Sequence, residues 1–494
     1  MVQEAWNKVK LHLFEFEGDM IVFDIYRGRP YLIEPADKAV LQMRVPIGEA
    51  RAIRQLGVQF SEEAVRNSIQ KLKDWGLLLP VGDPLPDQPQ EPDYPEITHL
   101  ELNIAEDCNI RCIYCCVGQG SFGVDQSSDR MRAKMSWDVA RRSIDLLFEE
   151  SLDSPEVHIR FFGGEPMMNW AVIQKGVLYA EEKAHQTGKG VSFSIVTNGI
   201  LLHEQVINFM KEHNFSVQIS IDGTQKMHDA FRVGIDGKGT YEKATAYVPQ
   251  LLEALGPENV RARATLTHFN PDGLEAFDHL RGLGFTNPRI KPVTGNDPAY
   301  GMTVKDYLHV NKIYGVLAKH LLESDPDEVA IYINLFFNDY MPVLMSGQAR
   351  KPPCGAARQM IGASTDGTIL PCTDMVARDH EALWLGDVFT GLQRDRKHKF
   401  LEIVDVDNKI GCRKCWARYL CGGACASVEL GNEGGLEQNA GRECIWIRHV
   451  IELSLWLYVK MLNERPELFY ELYGNSAKSV LGPLAEVFAI DERS

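Results

Sequence analysis

Residues 108–116 read CNIRCIYCC, which puts four of the chain's eleven cysteines into nine residues. They follow ITHLELNIA (97–105), whose apolar alternation predicts a β-strand. Five further strand patterns succeed it: VHIRFFGG (157–164), VSFSIVTNG (191–199), SVQISIDG (216–223), VRARATLT (260–267) and PRIKPVT (288–294). Between them lie amphipathic stretches that read as helices, among them SWDVARRSIDLLFEES (136–151), WAVIQKGVLYAEEKAH (170–185), HEQVINFMKEHN (203–214) and TYEKATAYVPQLLEAL (240–255). Six such units predict an α/β fold with a parallel sheet, either curved into a partial (β/α)6 TIM barrel or left open. The working groups of such sheets sit where the strands end. Here those ends carry EDCNIRC, GGEP, TNG and IDG, so the cysteine loop falls where a site is expected.

The flanks differ in character. A chain of 494 residues is too long for one ordinary domain. Residues 1–80 read as two or three short strands and three helices, the last capped by Ser61, in a winged-helix-like layout. A linker with five prolines and five acids follows at 81–96 and should be extended. The barrel is expected over 97–345. Alternation then stops in a loop-rich region, 346–450, that holds seven cysteines, and a helical tail is expected over 451–494.

Composition excludes some functions. With 52 basic and 68 acidic residues the net charge is −16, the wrong sign for a nucleic-acid surface. No apolar run spans a bilayer; the strongest, Ile445 to Leu462, is broken by Arg448, His449, Glu452 and Lys460. The first residues show no secretory pattern, so a cytoplasmic location is expected. Disulfides do not persist there, and clustered cysteines then mean metal or redox chemistry.

Cys108, Cys112 and Cys115 form CxxxCxxC. Three thiolates are one short of the four that a structural zinc or iron–sulfur centre takes. A zinc site completed by a distant His is one alternative; a [4Fe–4S] cluster with one open iron is the other. Cys116 adjoins Cys115 too closely to reach the same metal and reads as a small buried hydrophobe.

CxxxCxxC at the first strand of a partial β/α barrel, with Tyr114 before the third cysteine, resembles the radical S-adenosylmethionine enzymes. The resemblance implies that the open iron binds S-adenosylmethionine and that its cleavage gives a 5′-deoxyadenosyl radical. By the same resemblance Gly163, Gly164 and Glu165 of FFGGEP contact the methionine amino group. Ser220 in SIDG and Arg232 twelve residues on match contacts to the ribose and the methionine carboxylate, and Val293 would pack near the adenine. Asn198 and Asp222 also end strands, where a turn role serves them equally.

The remaining seven cysteines follow a second pattern. Cys354, Gly367 and Cys372 precede Cys412, Cys415, Cys421, Cys425 and Cys444, an order that resembles the SPASM extension with its two auxiliary [4Fe–4S] clusters. Two structural zinc sites are the alternative. The resemblance allots Cys412, Cys415, Cys421 and Cys444 to one cluster and leaves Cys354, Cys372 and Cys425 for the other, which is one ligand short. Three clusters in all are implied, with a flavodoxin- or ferredoxin-type reductant.

The N-terminal unit resembles the leader-recognition domain of peptide-modifying radical enzymes, which adds a leader peptide to a sheet edge. With CNIRCIYCCVGQGSFG and the two auxiliary clusters, the chain looks most like maturases that form sulfur-to-carbon thioether cross-links: the quinohemoprotein amine dehydrogenase maturase and the ranthipeptide and sactipeptide synthases. Asp374 is the nearest candidate acid or base, against a loop-capping role. Sulfatase-maturing oxidases usually carry an Asp directly after the second SPASM cysteine, where Thr373 stands here. Carbon–carbon cross-linking, or a non-catalytic iron–sulfur scaffold or electron carrier, are the other readings.

Overall fold

The computed structural model describes residues 5–89, 96–115, 133–293, 297–337, 339–378, 380–431, 435–436, 441–477 and 480. Cys116 lies outside them. The first elements are strands β1 (Ala5–Lys8), β2 (Leu11–Phe16), β3 (Asp19–Asp24) and β4 (Arg29–Ile33), with β5 (Ile47–Gly48) and β6 (Leu78–Pro80) after them. Helices Pro35–Gln42, Glu49–Leu56 and Glu62–Asp74 lie between. Ser61 Oγ accepts from Ala64 N at 3.1 Å, the expected N-cap. The third helix stops at Asp74, short of the predicted WGLL, because Leu78 and Leu79 leave it to pair with β1.

β2, β3 and β4 form an antiparallel meander that belongs to two cores at once. Alternation along β3 sends Ile21 and Phe23 into the main core, whereas Val22 faces Trp6, Val40 and Leu72 of the small one. Residues 1–80 are expected to stand apart; their sheet instead shares the main core, with Phe23 against Trp416 and Phe16 against Trp456.

Strands β7 (His99–Ala105), β8 (Ile110–Cys112), β9 (Glu156–Gly163), β10 (Gly190–Thr197), β11 (Phe215–Ser220), β12 (Arg232–Gly234), β13 (Val260–Leu266) and β14 (Arg289–Pro292) follow. The six long ones, β7-β9-β10-β11-β13-β14, are parallel neighbours in chain order, at the positions expected from the sequence. One face of this sheet is apolar: Leu100, Leu102, Ile159, Phe161, Phe193, Ile195, Val217 and Ile219 are buried beneath the helices. The other face is polar, with His99, Glu101, His158, Arg160, Ser194, Ser216, Gln218 and Arg261 lining a cavity of about 420 Å³. The predicted helix 240–255 is two helices, Tyr241–Thr245 and Val248–Leu255. Pro249 lacks an N–H and its ring would meet the carbonyl four residues back.

Beyond residue 350 the chain adds β15 (Met360–Ala363), β16 (Thr368–Leu370), β17 (Gly386–Asp387) and β18 (Gly391–Leu392). β15 runs parallel to β7 on the side away from β9, so the cysteine-rich region extends the barrel sheet. A helix from Glu443 to Glu464, begun before the expected tail, packs on the helix Val304–Glu323; His449 Nε2 lies 3.0 Å from Asn311 O. Trp456 Nε1 on it donates to Asp19 Oδ2 at 2.8 Å and ties the meander down. Among the described residues no helix is long and apolar enough to cross a membrane.

Because Phe23 is 1% exposed in the shared layer, Phe23→Ala should destabilise by about 3–5 kcal/mol. Urea unfolding followed by circular dichroism and by tryptophan fluorescence should show one coincident transition shifted as a whole. A separate early transition carrying the entire loss would contradict the shared layer.

Candidate active site

The strand β7 ends at Ala105, and the GGE that ends β9 packs against the loop leaving it. Gly164 N donates to Ala105 O at 2.7 Å and Glu165 N to Asp107 O at 2.9 Å. Glycine is required for this approach: a Cβ on Gly163, whose φ is +144°, would lie 2.3 Å from Ala105 O, and one on Gly164 would lie 2.3 Å from Asp107 O. Glu165 is fully buried, and its carboxylate accepts from Thr197 Oγ1 (2.9 Å), Met167 N (3.1 Å) and Asn198 N (2.8 Å). Burial pushes this carboxyl up to about 7 against those three hydrogen bonds. The predicted Gly163, Gly164 and Glu165 thus lie against the loop that opens at Cys108.

Cys112 ends β8, and β8 pairs antiparallel with β12 so that Arg232 stands opposite Cys112. This ribbon of two three-residue strands has no periodicity to read. Arg232 is 8% exposed and grips Asp222 with two nitrogens, Nε to Oδ2 at 3.0 Å and Nη2 to Oδ1 at 3.2 Å. Its third nitrogen, Nη1, lies 3.8 Å from Cys112 Sγ. Asp222 also accepts from Tyr114 Oη and from Thr265 N at 3.0 Å. Although burial opposes the charge, Asp222 holds the Arg232 guanidinium well above its ordinary range. Burial likewise pushes the Tyr114 hydroxyl far up, and Arg232 lies 5.4 Å from the centre of its ring.

A neutral histidine holds this loop. Asp222 N donates to His228 Nδ1 at 3.4 Å, which leaves the proton on Nε2, facing Thr240 Oγ1 at 3.1 Å. Thr240 Oγ1 donates in turn to Arg232 O at 2.7 Å. His228 is 1% exposed, and burial, helped by Arg232, lowers its pKa to about 4.

The other predicted residues surround this centre. Ser220 ends β11, half-buried, and Val293 is buried just past β14, its N–H bonded to Leu266 O at 2.7 Å. Asn198 Nδ2 lies 2.7 Å from Asn109 Oδ1 and 3.7 Å from Cys108 Sγ. Burial pushes the thiols of Cys108 and Cys112 up to about 12 and about 11. Two sulfurs therefore face N–H donors, and such donors favour a thiolate bound to a cationic centre, which would deprotonate them.

The seven later cysteines fall into two groups. Cys412, Cys415, Cys421 and Cys444 line one cavity of about 170 Å³. Beneath it the buried pair Lys409–Glu429, at 2.6 Å, holds the loop. Cys354, Cys372 and Cys425 form the second group, each of their thiols pushed up first by burial and also by the nearby Asp374. Among the described residues no three His, Cys, Asp or Glu side chains are grouped tightly enough to hold a single ion. Thr373 is buried, and both its N–H (3.0 Å) and Oγ1 (2.8 Å) donate to Glu101 Oε2. Asp374, by contrast, is accessible to solvent yet deeply surrounded by protein, and that burial, with Glu101, raises its carboxyl.

Residues 102–280 match the Radical SAM superfamily. A cysteine-type anaerobic sulfatase-maturating enzyme of Clostridium novyi is 24% identical over 337 residues, 65% of this chain and 85% of that one. A serine-type anaerobic sulfatase-maturating enzyme of Bacteroides thetaiotaomicron is 22% identical over 392 residues, 72% of this chain and 90% of that one. The solved structure of anSMEcpe with bound AdoMet and Cp18Cys peptide superposes with a TM-score of 0.59 at 18% identity, over 76% of this chain and 99% of that one. That likeness concerns the fold.

His228 gives the site a pH signature. Its pKa is near 6.5 unfolded and about 4 folded, so between these values the unfolded chain binds more protons and stability falls as pH drops. The loss should approach about 3 kcal/mol below pH 4. In urea titrations from pH 7 to 4, His228→Gln should remove that component of the slope.

Proposed function

We propose that the radical SAM domain of residues 102–280 serves an enzyme that modifies a peptide or small protein by forming intrapeptide thioether cross-links between a cysteine and an acceptor carbon. The observation that carries this reading is the second thiol group. Cys354, Cys372 and Cys425 share one region with the accessible Asp374, and no fourth cysteine stands with them among the described residues.

In this reading Cys108, Cys112 and Cys115 hold a [4Fe–4S] cluster, Cys412, Cys415, Cys421 and Cys444 a second, and Cys354, Cys372 and Cys425 a third. The donor set fits: four thiols line one cavity, and among the described residues no three ligating side chains are grouped tightly enough for a single ion. When bound, the first cluster and S-adenosylmethionine supply a 5′-deoxyadenosyl radical that removes a substrate hydrogen. Gly163, Gly164 and Glu165 receive the methionine amino group, Ser220 the ribose and Val293 the adenine. Arg232, fixed by Asp222 and flanked by Tyr114, receives the methionine carboxylate. Asp374 takes the proton of the donor cysteine, since a carboxyl with a raised pKa is the better base.

The leader of the substrate adds to the meander along β4, which pairs with β3 on one side only. Tethering there raises the local concentration of the segment to be modified. A reducing cytoplasm suits the ten described cysteines, all unpaired. Formylglycine formation is a second reading, favoured by the relatives' activities. It too requires a base, and because Thr373 is committed to Glu101 this reading gives that role to Asp374.

Two substitutions test the assignment on protein reconstituted anaerobically with iron and sulfide, supplied with dithionite and S-adenosylmethionine. Cys112→Ala should abolish 5′-deoxyadenosine, read by mass spectrometry, and retained cleavage would refute the first cluster. Asp374→Asn should keep 5′-deoxyadenosine within about twofold while lowering cross-linked peptide by about 10²-fold or more. A product lighter than the peptide by two hydrogens and resistant to thiol alkylation is the thioether outcome; an aldehyde that reacts with hydrazine is the formylglycine one.

A further inference from the structure

We propose that Phe269 is a specificity-determining residue of the reaction. With Phe231 it forms an apolar seat on the rim of the barrel, which takes an aromatic or long aliphatic side chain of the substrate peptide near the residue to be modified. The proposal rests on the peptide-modifying reading given above. Phe269 stands three residues past β13, at the end of the sheet where Tyr114 and Arg232 converge on Asp222. It is 67% exposed. A single exposed ring on a loose loop would mean little. This one is carried by a pinned turn. Thr267 N donates to Asn270 Oδ1 at 3.0 Å, Asn270 N to Thr267 O at 3.2 Å, and His268 N to Tyr300 O at 3.0 Å. His268 Nδ1 also lies 2.7 Å from Asp306 Oδ2. The backbone beneath the ring is thereby fixed, which lowers the ordering cost when a ligand packs on it.

The ring is also continuous with the site. Its centre lies 5.9 Å from that of Phe231 and 5.3 Å from that of His268. Phe231 is buried, precedes Arg232 and lies 5.8 Å from Tyr114. Its carbonyl accepts from Ile113 N at 2.9 Å, and Ile113, 37% exposed, adds an apolar side chain from the cysteine loop itself. The seat thus begins at residues assigned to the cofactor and opens to solvent. Its position selects the occupant. A substrate carbon reaches the Cys108–Cys115 loop from the open ends of the strands, and a peptide on that route lays its neighbouring side chains on the rim. Deeper in, the sheet offers His99, Glu101, His158, Arg160 and Arg261; the rim offers rings. A side chain placed there gains from ring contacts as well as from leaving water.

The test uses the full-length, cluster-loaded protein and two synthetic probes: acetyl-GSCGFGSK-amide, labelled on its lysine with fluorescein, and the same peptide with serine in place of phenylalanine. Fluorescence anisotropy should show wild type binding the first about tenfold more tightly than the second. In Phe269→Ser that preference should vanish, and Phe269→Tyr should restore it. Iron content confirms loading in each protein. Equal affinity of wild type for the two peptides would overturn the seat. So would a loss of S-adenosylmethionine affinity in Phe269→Ser, read by equilibrium dialysis, because the ring would then belong to the cofactor. Conversion of a dimer to a monomer by the same substitution, read by sedimentation, would overturn it too, because a second copy would be the occupant. Absence of dithionite-driven 5′-deoxyadenosine from the wild type, with the peptide preference intact, would instead refute the cluster reading, so the two failures are told apart.

Discussion

The top of the barrel depends on one buried ion pair. Arg232 and Asp222 are both withdrawn from water, and neither charge could be held there alone; removing one partner of such a pair costs about 3–5 kcal/mol. Together they do more than cancel. Asp222 leaves β11 and, through Thr265 N, is fixed to β13, while Tyr114 of the cysteine loop and Arg232 of the ribbon both converge on it. The ribbon then sets Cys112 by register opposite Arg232. A loop of three cysteines has no hydrophobic reason to adopt one shape. Here its shape is imposed by a salt bridge on the neighbouring strands and by the close glycine contact at β9.

The sheet itself inverts the usual economy of a packed barrel. One face meets helices and is apolar, but the other carries His99, Glu101, His158, Arg160 and Arg261 around open space. Such a wall is stable only where its groups bond to one another or remain wet. His158 shows the first solution: both ring nitrogens lie within 2.8 Å of serine hydroxyls on β10, and burial lowers its pKa to about 4, so it stays neutral.

What the sequence disclosed follows the range of the interactions. The six barrel strands were legible because each carries its own alternation, and the cysteines because their spacing is local. The β8–β12 ribbon was not, since its strands of three residues are 120 positions apart and have no periodicity to read. The return of β15 to the far side of β7 was equally hidden, as was the sharing of β3 between two cores. At the site, Arg232 was found from its motif, whereas Asp222 looked like a turn residue until its four partners were visible. Its signal was present in hindsight: an acid just past a strand end, ten residues before an arginine, in a fold that collects its chemistry at such ends.

The same logic of neighbours bears on the residues that follow Cys372. Residues 373–375 form a single tight turn, in which consecutive side chains point about 120° apart. Thr373 therefore turns inward and Asp374 outward. The inward slot is occupied by the Glu101 carboxylate, whose Oε2 accepts two hydrogen bonds from Thr373 and whose Oε1 is held by Arg160 at 3.0 Å. A carboxylate at position 373 would confront the Glu101 carboxylate directly, and one of the two would have to take up a proton. One residue later Asp374 reaches solvent beside Cys354, Cys372 and Cys425, although burial and Glu101 still raise its carboxyl.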